Sequence, residues 1–152
     1  MNAQRNELRD LVVELVTNSS RFARLASSLA KDDRPRALIR ALSLLEEYGE
    51  LRTSEFARID RCSQPSATAL MQKLHGLGLV ERTPDPLDSR ASLIAISDKG
   101  RTWLGESRDA IGDALAPRFA QLEPQQIARI TEGLQELRDI LKSTPNESNP
   151  DA

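Results

Sequence analysis

The sequence contains a single cysteine and a single histidine among its 152 residues. One cysteine cannot form a disulfide within the chain, so the composition fits a reducing compartment, and we expect a cytoplasmic protein. Cys62 and His75 supply too few ligands for a zinc or iron site without several carboxylates, and we predict no metal and no cofactor. Nucleophile-elbow, phosphate-loop, zinc-protease and dinucleotide motifs are also missing, so we expect no catalytic activity.

Long apolar runs are absent as well. No uninterrupted stretch approaches the roughly 20 apolar residues that a helix needs to cross a bilayer, and residues 1–7 lack the apolar segment of a signal peptide. We therefore expect a soluble protein without a membrane partner. At 152 residues the chain is long enough for one domain with its own core, or for a small domain and an oligomerisation element.

The formal net charge is only −2, but the charges are unevenly distributed along the chain. Residues 34–101 contain 11 Lys and Arg against 9 Asp and Glu, whereas residues 102–152 contain 5 against 9. The basic excess in the middle favours an anionic partner there, although a solvated charged surface accounts for so small an excess equally well.

Apolar residues recur at spacings of three and four over most of the chain, which predicts a mainly helical protein. The first long helix has its apolar stripe at Leu8, Leu11, Leu15, Phe22, Leu25 and Leu29. A second helix begins near Pro35 and stops at Gly49, because glycine tolerates a left-handed backbone. The last helix begins near Pro124 and has heptad-like apolar positions at Ile127, Ile130, Leu134, Leu137 and Leu141.

Two shorter helices and a hairpin are predicted in the middle of the chain. Thr53 is a good N-cap for a helix over residues 54–60, and Ser63 is a good N-cap for a second helix with Pro65 in its first turn. The extended segments 79–83 and 92–96 then predict a β-hairpin. Its loop, residues 84–90, holds two prolines and two aspartates, which favour turns and resist strand pairing.

A long helix capped by Ser97 is predicted after the hairpin. Pro117 removes a backbone donor deep inside this helix, so we expect a kink or break after about Asp113. The tail, residues 143–152, has almost nothing to bury and is predicted to be disordered.

The outer face of the helix capped by Ser63 has an unusual composition. Its apolar side consists of Ala67, Leu70, Met71 and Leu74. The other side therefore carries small side chains and amides, without a carboxylate. A helix that enters the DNA major groove has this character, because amides and hydroxyls read base edges while acids are repelled by phosphates. A solvated helix that lacks acids by chance is the alternative.

The order of short helix, turn, second helix and hairpin is that of a winged helix-turn-helix. Individual residues also match a known family with this fold. About a third of the chain closely resembles the core of the MarR (multiple antibiotic resistance regulator) family. The matching residues are 51–57, 62–68, Leu74, 78–82, 85–86, 88–90 and 97–100.

The resemblance implies binding to double-stranded DNA. The segment that matches the major-groove contact, with its continuation along the same surface, comprises Ser63, Gln64, Ser66, Thr68, Ala69, Gln72 and Lys73. Asp88 and Arg90 match the D-x-R of the family's wing, in which the arginine reaches a minor groove and the aspartate helps to hold the loop. Without the resemblance, this pair would be taken for an ordinary surface salt bridge. Arg82, on the preceding strand, is either a phosphate contact or a solvated arginine.

Members of the family form dimers through their first and last helices, so the resemblance also implies a homodimer. The predicted interface comprises Leu8, Leu11, Leu15, Ile127, Ile130, Leu134, Leu137 and Leu141. The predicted architecture is mainly α with a small antiparallel β wing, as a winged helix-turn-helix plus a helical dimerisation stem. Its parts are an N-terminal dimerisation helix (1–33), a DNA-binding lobe (34–101), C-terminal dimerisation helices (102–142) and the tail (143–152).

Two candidate switches have competing interpretations. Tyr48 and Trp103 flank the region of the family's effector cleft, where Arg21 would meet a small aromatic or anionic effector. The competing interpretation, which is the more common situation, is that the aromatics are core residues between lobes and the arginine is solvated. Cys62 precedes a helix N-terminus, where a thiol can become oxidisable, but its position also matches a small core residue of the turn, and we expect a structural thiol.

We therefore predict a transcriptional repressor that binds a pseudo-palindromic operator as a homodimer and is released by a small ligand. The alternative is a winged-helix dimer that acts as a protein-binding adaptor.

Overall fold

A computed structural model describes residues 2–143, which form α-helices and a small antiparallel sheet. The helices are α1 (Asn2–Leu29), α2 (Arg36–Tyr48), α3 (Thr53–Asp60), α4 (Gln64–Gly76), α5 (Asp98–Leu115) and α6 (Pro124–Ser143). The strands are β1 (Leu51–Arg52), β2 (Val80–Asp85) and β3 (Asp88–Ile96). The predicted fold class, mainly α with a β wing, is confirmed. Within the described residues, no helix is both long and apolar enough to span a membrane.

The hydrophobic core lies in the first of two compact units, which ends at Leu115. Amphipathic α2 contributes Leu38, Leu42 and Leu45, which are almost completely buried. These side chains belong to one buried cluster with Phe56 of α3 and Met71 of α4. Burying a side chain of this size contributes about 1.5 to 3 kcal/mol, so the cluster fixes α3 and α4 in the folded lobe.

The helix starts depend on specific caps. Ser63 caps α4 as predicted, since its Oγ accepts a hydrogen bond from the Ser66 N–H at 3.2 Å. The prediction that Thr53 caps α3 is wrong, because Thr53 is the first helical residue and Arg52 has the capping position. The extended backbone of Arg52 leads directly into the helix, and its N–H donates to the Glu55 carboxylate at 2.8 Å.

The sheet has the strand order β1-β3-β2 with antiparallel pairing. The predicted loop at residues 84–90 is wrong, because β2 continues to Asp85 and β3 begins at Asp88, which leaves Pro86 and Leu87 in the turn. Pro84 is accommodated because β2 is an edge strand whose register shifts between Pro84 and Asp85. The sequence does not predict β1, since two residues show no periodicity.

Ser97 connects the wing to the following helix. Its Oγ accepts the Gly100 N–H at 3.0 Å, which confirms the predicted cap of α5, and donates to the Gly78 carbonyl at 2.7 Å. Gly78 itself has a φ of 71°, in the left-handed region that glycine enters without strain. The end of the wing is thereby bound to the turn that follows α4.

The second unit begins at Ala116. A short 3-10 helix, Ala116–Phe119, follows α5, so the break predicted at Pro117 is confirmed, two residues later than Asp113. Helix α6 has no buried residue in the single chain. The predicted disordered tail lies outside the described residues except for Ser143, which ends α6. The domain limits at residues 33, 101 and 142 stay predictions.

Candidate nucleic-acid interface

The outer face of α4 is polar, exposed and free of carboxylates. Ala67, Met71 and Leu74 are fully buried, which turns the opposite side of the helix to solvent. The exposed side carries the predicted residues Gln64, Ser66, Thr68, Ala69, Gln72 and Lys73. The sequence of α4 contains no Asp or Glu, and its last turn contains Lys73 and His75. This face can therefore approach a polyanion without charge repulsion.

Ser63 is placed at the N-terminal edge of this face, where its side chain already has a partner. Its hydroxyl donates to Ser66 Oγ at 2.8 Å and accepts the Ser66 N–H. These contacts hold the first turn of α4, so the structure gives Ser63 a capping role in addition to its exposed position.

The wing brings two of the predicted cationic residues to its surface. Arg82 on β2 and Arg90 on β3 are both exposed. The Asp88 carboxylate accepts the Arg90 N–H at 3.0 Å. Both residues are described by the structure, and their side chains do not form an ion pair with each other. Asp88 therefore holds the backbone of the wing, as the resemblance implies, while the Arg90 guanidinium stays exposed to solvent.

Asp85 is a functional candidate that the sequence reasoning missed. Only 5% of Asp85 is exposed, and its carboxylate accepts hydrogen bonds from Arg52 Nε and, at 2.8 Å, from the Leu87 N–H. The guanidinium of Arg52, followed by the Leu87 N–H, lowers the pKa of Asp85 below its ordinary value of 3.8. The signal was the Asp-Pro pair before the turn, since an aspartate there can bond to the backbone two residues later.

A shallow groove lies beside α4. Ser66, Ala69 and Lys73 line it from the helix, together with Cys62 and the ion-paired residues Arg40 and Asp60. Cys62 is half-buried against the core, and burial, with Asp60 nearby, raises the pKa of its thiol. A protonated thiol is a poor nucleophile at neutral pH, which supports the structural interpretation of Cys62.

Another groove is formed where the segment between α1 and α2 meets α5. Arg34 lies over the Trp103 ring, 5.4 Å from its centroid, and pairs with Asp32 and Glu106. Of the three predicted effector residues, Trp103 lines this groove. Arg21, exposed on α1, and Tyr48, exposed at the end of α2, are outside its lining. The sequence reasoning missed Arg34 because nothing in its immediate neighbours distinguishes it from a solvated arginine.

The residues predicted to form a dimer interface are exposed in the single chain. Leu8, Leu11 and Leu15 follow one another along α1, and the predicted apolar positions of α6 run along that helix in the same way. Large apolar side chains repeated along a helix without a covering element within their own unit indicate a contact surface.

The chain is similar to known proteins in both sequence and structure. The model of the MarR family matches residues 36–92, from α2 into β3. An uncharacterised HTH-type transcriptional regulator of Mycobacterium bovis is 31% identical over 103 residues, which are 68% of this chain and 64% of that protein. An HTH-type transcriptional regulator of Mycobacterium tuberculosis gives the same values. The match thus spans slightly less than two thirds of these relatives.

Solved structures of similar fold agree with this match. A transcriptional regulator from Thermotoga maritima has a TM-score of 0.64 and 20% identity, covering 87% of this chain and 95% of that one. A mutant of MarR from E. coli complexed with operator DNA has a TM-score of 0.55 and 19% identity, covering 87% of this chain and 96% of that one. At these identities the likeness concerns the fold.

Proposed function

The chain belongs to the MarR family, and on that premise we propose that it is a cytoplasmic transcriptional repressor that binds operator DNA as a homodimer. In this function α4 enters the major groove and the wing, β2 and β3 with their turn, contacts the adjacent minor groove. The protein regulates by occupying DNA and carries out no catalysis.

The observation that carries the proposal is the acid-free exposed face of α4, together with an exposed arginine on the wing. Gln64, Thr68 and Gln72 follow one another at four-residue spacing, so their polar groups form one row along the helix. Amides in such a row can bond to adenine edges, while Lys73 supplies a positive charge for phosphates. The net charge of the chain is negative, so this local arrangement, and not overall charge, supports DNA binding.

The homodimer is supported by the uncovered apolar residues of α1 and of α6, each considered within its own unit. Pairing two copies would bury these side chains and present two α4 helices to one duplex. A pseudo-palindromic operator with half-sites about 10 base pairs apart matches such a dimer, because successive major grooves on one side recur at one helical turn.

Release by a small ligand is supported by the groove at Trp103. An aromatic anion would stack on the indole by displacing Arg34 from the ring and from its partners Asp32 and Glu106, and it would then pair with Lys31 and Arg34. Trp103 is the only tryptophan, so its fluorescence reports directly on this groove. Benzoate, as a minimal aromatic anion, should change the fluorescence and weaken DNA binding over the same concentration range.

Selection from a library of random DNA duplexes tests the main proposal. The protein should enrich an inverted repeat, and binding to a duplex with that repeat should weaken steeply with salt, because phosphate contacts release counterions. Recovery of no common sequence, with binding that does not depend on salt, would refute DNA recognition. Pull-down of a protein partner without any DNA binding would favour the adaptor function.

A further inference from the structure

Arg52 has no part in the recognition surface described above, yet its side chain crosses the whole sheet. It lies on β1, opposite Leu93 of the central strand, and Thr83 lies opposite Leu93 on the other side. Its guanidinium nevertheless reaches Asp85 at the far end of β2. Neighbouring strands are about 4.8 Å apart, so this contact spans two strand spacings and needs a long side chain.

The contact ends on the group that shapes the tip of the wing. The Asp85 side chain is only 2% exposed, whereas that of Arg52 is 35% exposed. One Asp85 oxygen accepts from Arg52 Nε, and the other accepts the Leu87 N–H at 2.8 Å, inside the two-residue turn. A buried carboxylate that loses its cation is strongly destabilised, so the turn depends on Arg52.

The other end of the connection is the first helix of the helix-turn-helix. The Arg52 N–H donates to the Glu55 carboxylate at the start of α3. A single residue therefore joins the start of α3 to the wing turn, and Asp88, directly after that turn, accepts the N–H of Arg90.

We propose that Arg52 is a positioning residue for DNA recognition, which fixes the wing through Asp85 so that Arg90 is presented at a defined place relative to the helix-turn-helix. This inference rests on the proposed function, and it assigns to Arg52 a contact with Asp85 and none with DNA. A direct phosphate contact by the partly exposed guanidinium is the competing role.

Substitution of the two partners separates these roles. The duplex selected above is titrated with wild-type protein, Arg52→Ala and Asp85→Asn. If Arg52 positions the wing, both variants bind about tenfold more weakly, and the double variant is no weaker than either one. The result for Asp85→Asn is decisive, because removing a negative charge near DNA should by itself strengthen binding. Stronger or unchanged binding by Asp85→Asn would overturn the proposal.

The dependence on Arg90 and on salt provides a second criterion. In an Arg90→Ala background, Arg52→Ala should cause little further loss of affinity and no further change in salt dependence, because Arg52 acts through Arg90. If the two substitutions instead cause additive losses of affinity, and each reduces the slope of log K against log salt concentration by about one, Arg52 contacts a phosphate itself. Arg101→Ala, which removes an exposed arginine from α5, is the control for loss of charge.

Hydrogen exchange of the free protein tests the connection without DNA. The amide of Leu87 should exchange faster in Arg52→Ala and Asp85→Asn than in wild type, while Arg101→Ala should leave it unchanged. Unchanged exchange at Leu87 would overturn the proposal even if DNA binding falls. If the wild-type protein binds no duplex but Leu87 responds, the proposed function fails while the wing connection stands. Circular dichroism spectra establish that each variant is folded.

Discussion

Gly100 is the glycine whose identity the packing constrains most. A Cβ added there would lie 2.1 Å from the Leu79 carbonyl oxygen and 2.9 Å from Ile96 Cγ1. The same Leu79 oxygen accepts the Ser97 N–H at 3.1 Å, so it cannot move away without breaking the start of α5. The close approach of α5 to the strands therefore requires glycine at this position.

We expect Gly100→Ala to lower the free energy of unfolding by about 2 to 4 kcal/mol, because backbone and not a flexible side chain must yield. Urea denaturation at one protein concentration measures the change. Gly105→Ala in the same helix is the control, since nothing lies within 4 Å of its added Cβ. Gly105→Ala should raise the free energy of unfolding by about 0.5 to 1 kcal/mol. Equal effects at the two positions would contradict the packing argument.

Arg90 is the wing residue whose loss should affect DNA binding most directly. Its guanidinium is exposed, so Arg90→Ala removes the proposed DNA contact without disturbing an internal ion pair. We expect binding to the selected duplex to weaken by roughly 1 to 3 kcal/mol in a gel-shift titration. Unchanged affinity, with Arg101→Ala as reference, would remove the wing from the mechanism.

The carboxylate of Asp85 gives the wing a defined dependence on pH. Hydrogen bonds from Arg52 and the Leu87 N–H lower its pKa below 3.8, so the folded chain favours the ionised form. The ionised carboxylate therefore stabilises the folded chain fully above the pKa that Asp85 has in the unfolded chain. This stabilisation is lost as the pH falls through the lower pKa that Asp85 has in the folded chain. The carboxyl carbon resonance of Asp85 should thus titrate below pH 3.8, and higher in Arg52→Ala. A midpoint at or above 3.8 in wild type would contradict this contact.

At the scale of elements, the sequence predicts what periodicity can encode. The apolar stripe from Leu38 to Leu45 and the cap at Ser63 predict α2 and the start of α4, because these signals lie within a few neighbouring residues. The strands of the wing are longer than predicted, and Asp85 at the end of β2 pairs with the distant residue Arg52. Nothing within residues 84–90 shows that Arg52 compensates the charge of Asp85, so prolines and aspartates there predict a loop.

The proposed recognition by α4 combines two kinds of contact, which substitutions can separate. We expect Lys73→Ala to weaken binding to all duplexes alike and to reduce the salt slope by about one, because an ammonium neutralises phosphate without reading sequence. Gln72→Ala should weaken the selected repeat more than mixed-sequence DNA and leave the slope unchanged, since an amide reads base edges. Anisotropy titrations at several salt concentrations distinguish them. Identical effects of the two variants would contradict this division of roles.

At the scale of the whole molecule, the proposed function requires two copies of the chain. The sequence predicts the apolar stripes of α1 and α6 because their spacing is helical, but a stripe does not reveal what covers it. Leu134 is 45% exposed and Ile130 is 61% exposed within the isolated chain. In the proposed dimer, a second copy would cover such residues and bring two α4 helices onto one duplex, so assembly and DNA recognition would depend on the same residues.

We expect Leu134→Glu to convert a dimer, with twice the 16.9 kDa mass of the chain, into a monomer at micromolar concentration. A carboxylate buried at an apolar contact costs more than the contact gains. Gln135→Glu is the matched control, because it adds the same charge one residue later on a polar face of α6 that includes Glu132 and Glu136. Light scattering measures both masses.

Binding to the inverted repeat should weaken about 100-fold or more in Leu134→Glu alone, because separate monomers lose the effective concentration that links the half-sites. A monomeric variant that retains full affinity would show that one lobe suffices, and the dimer would then have no part in recognition.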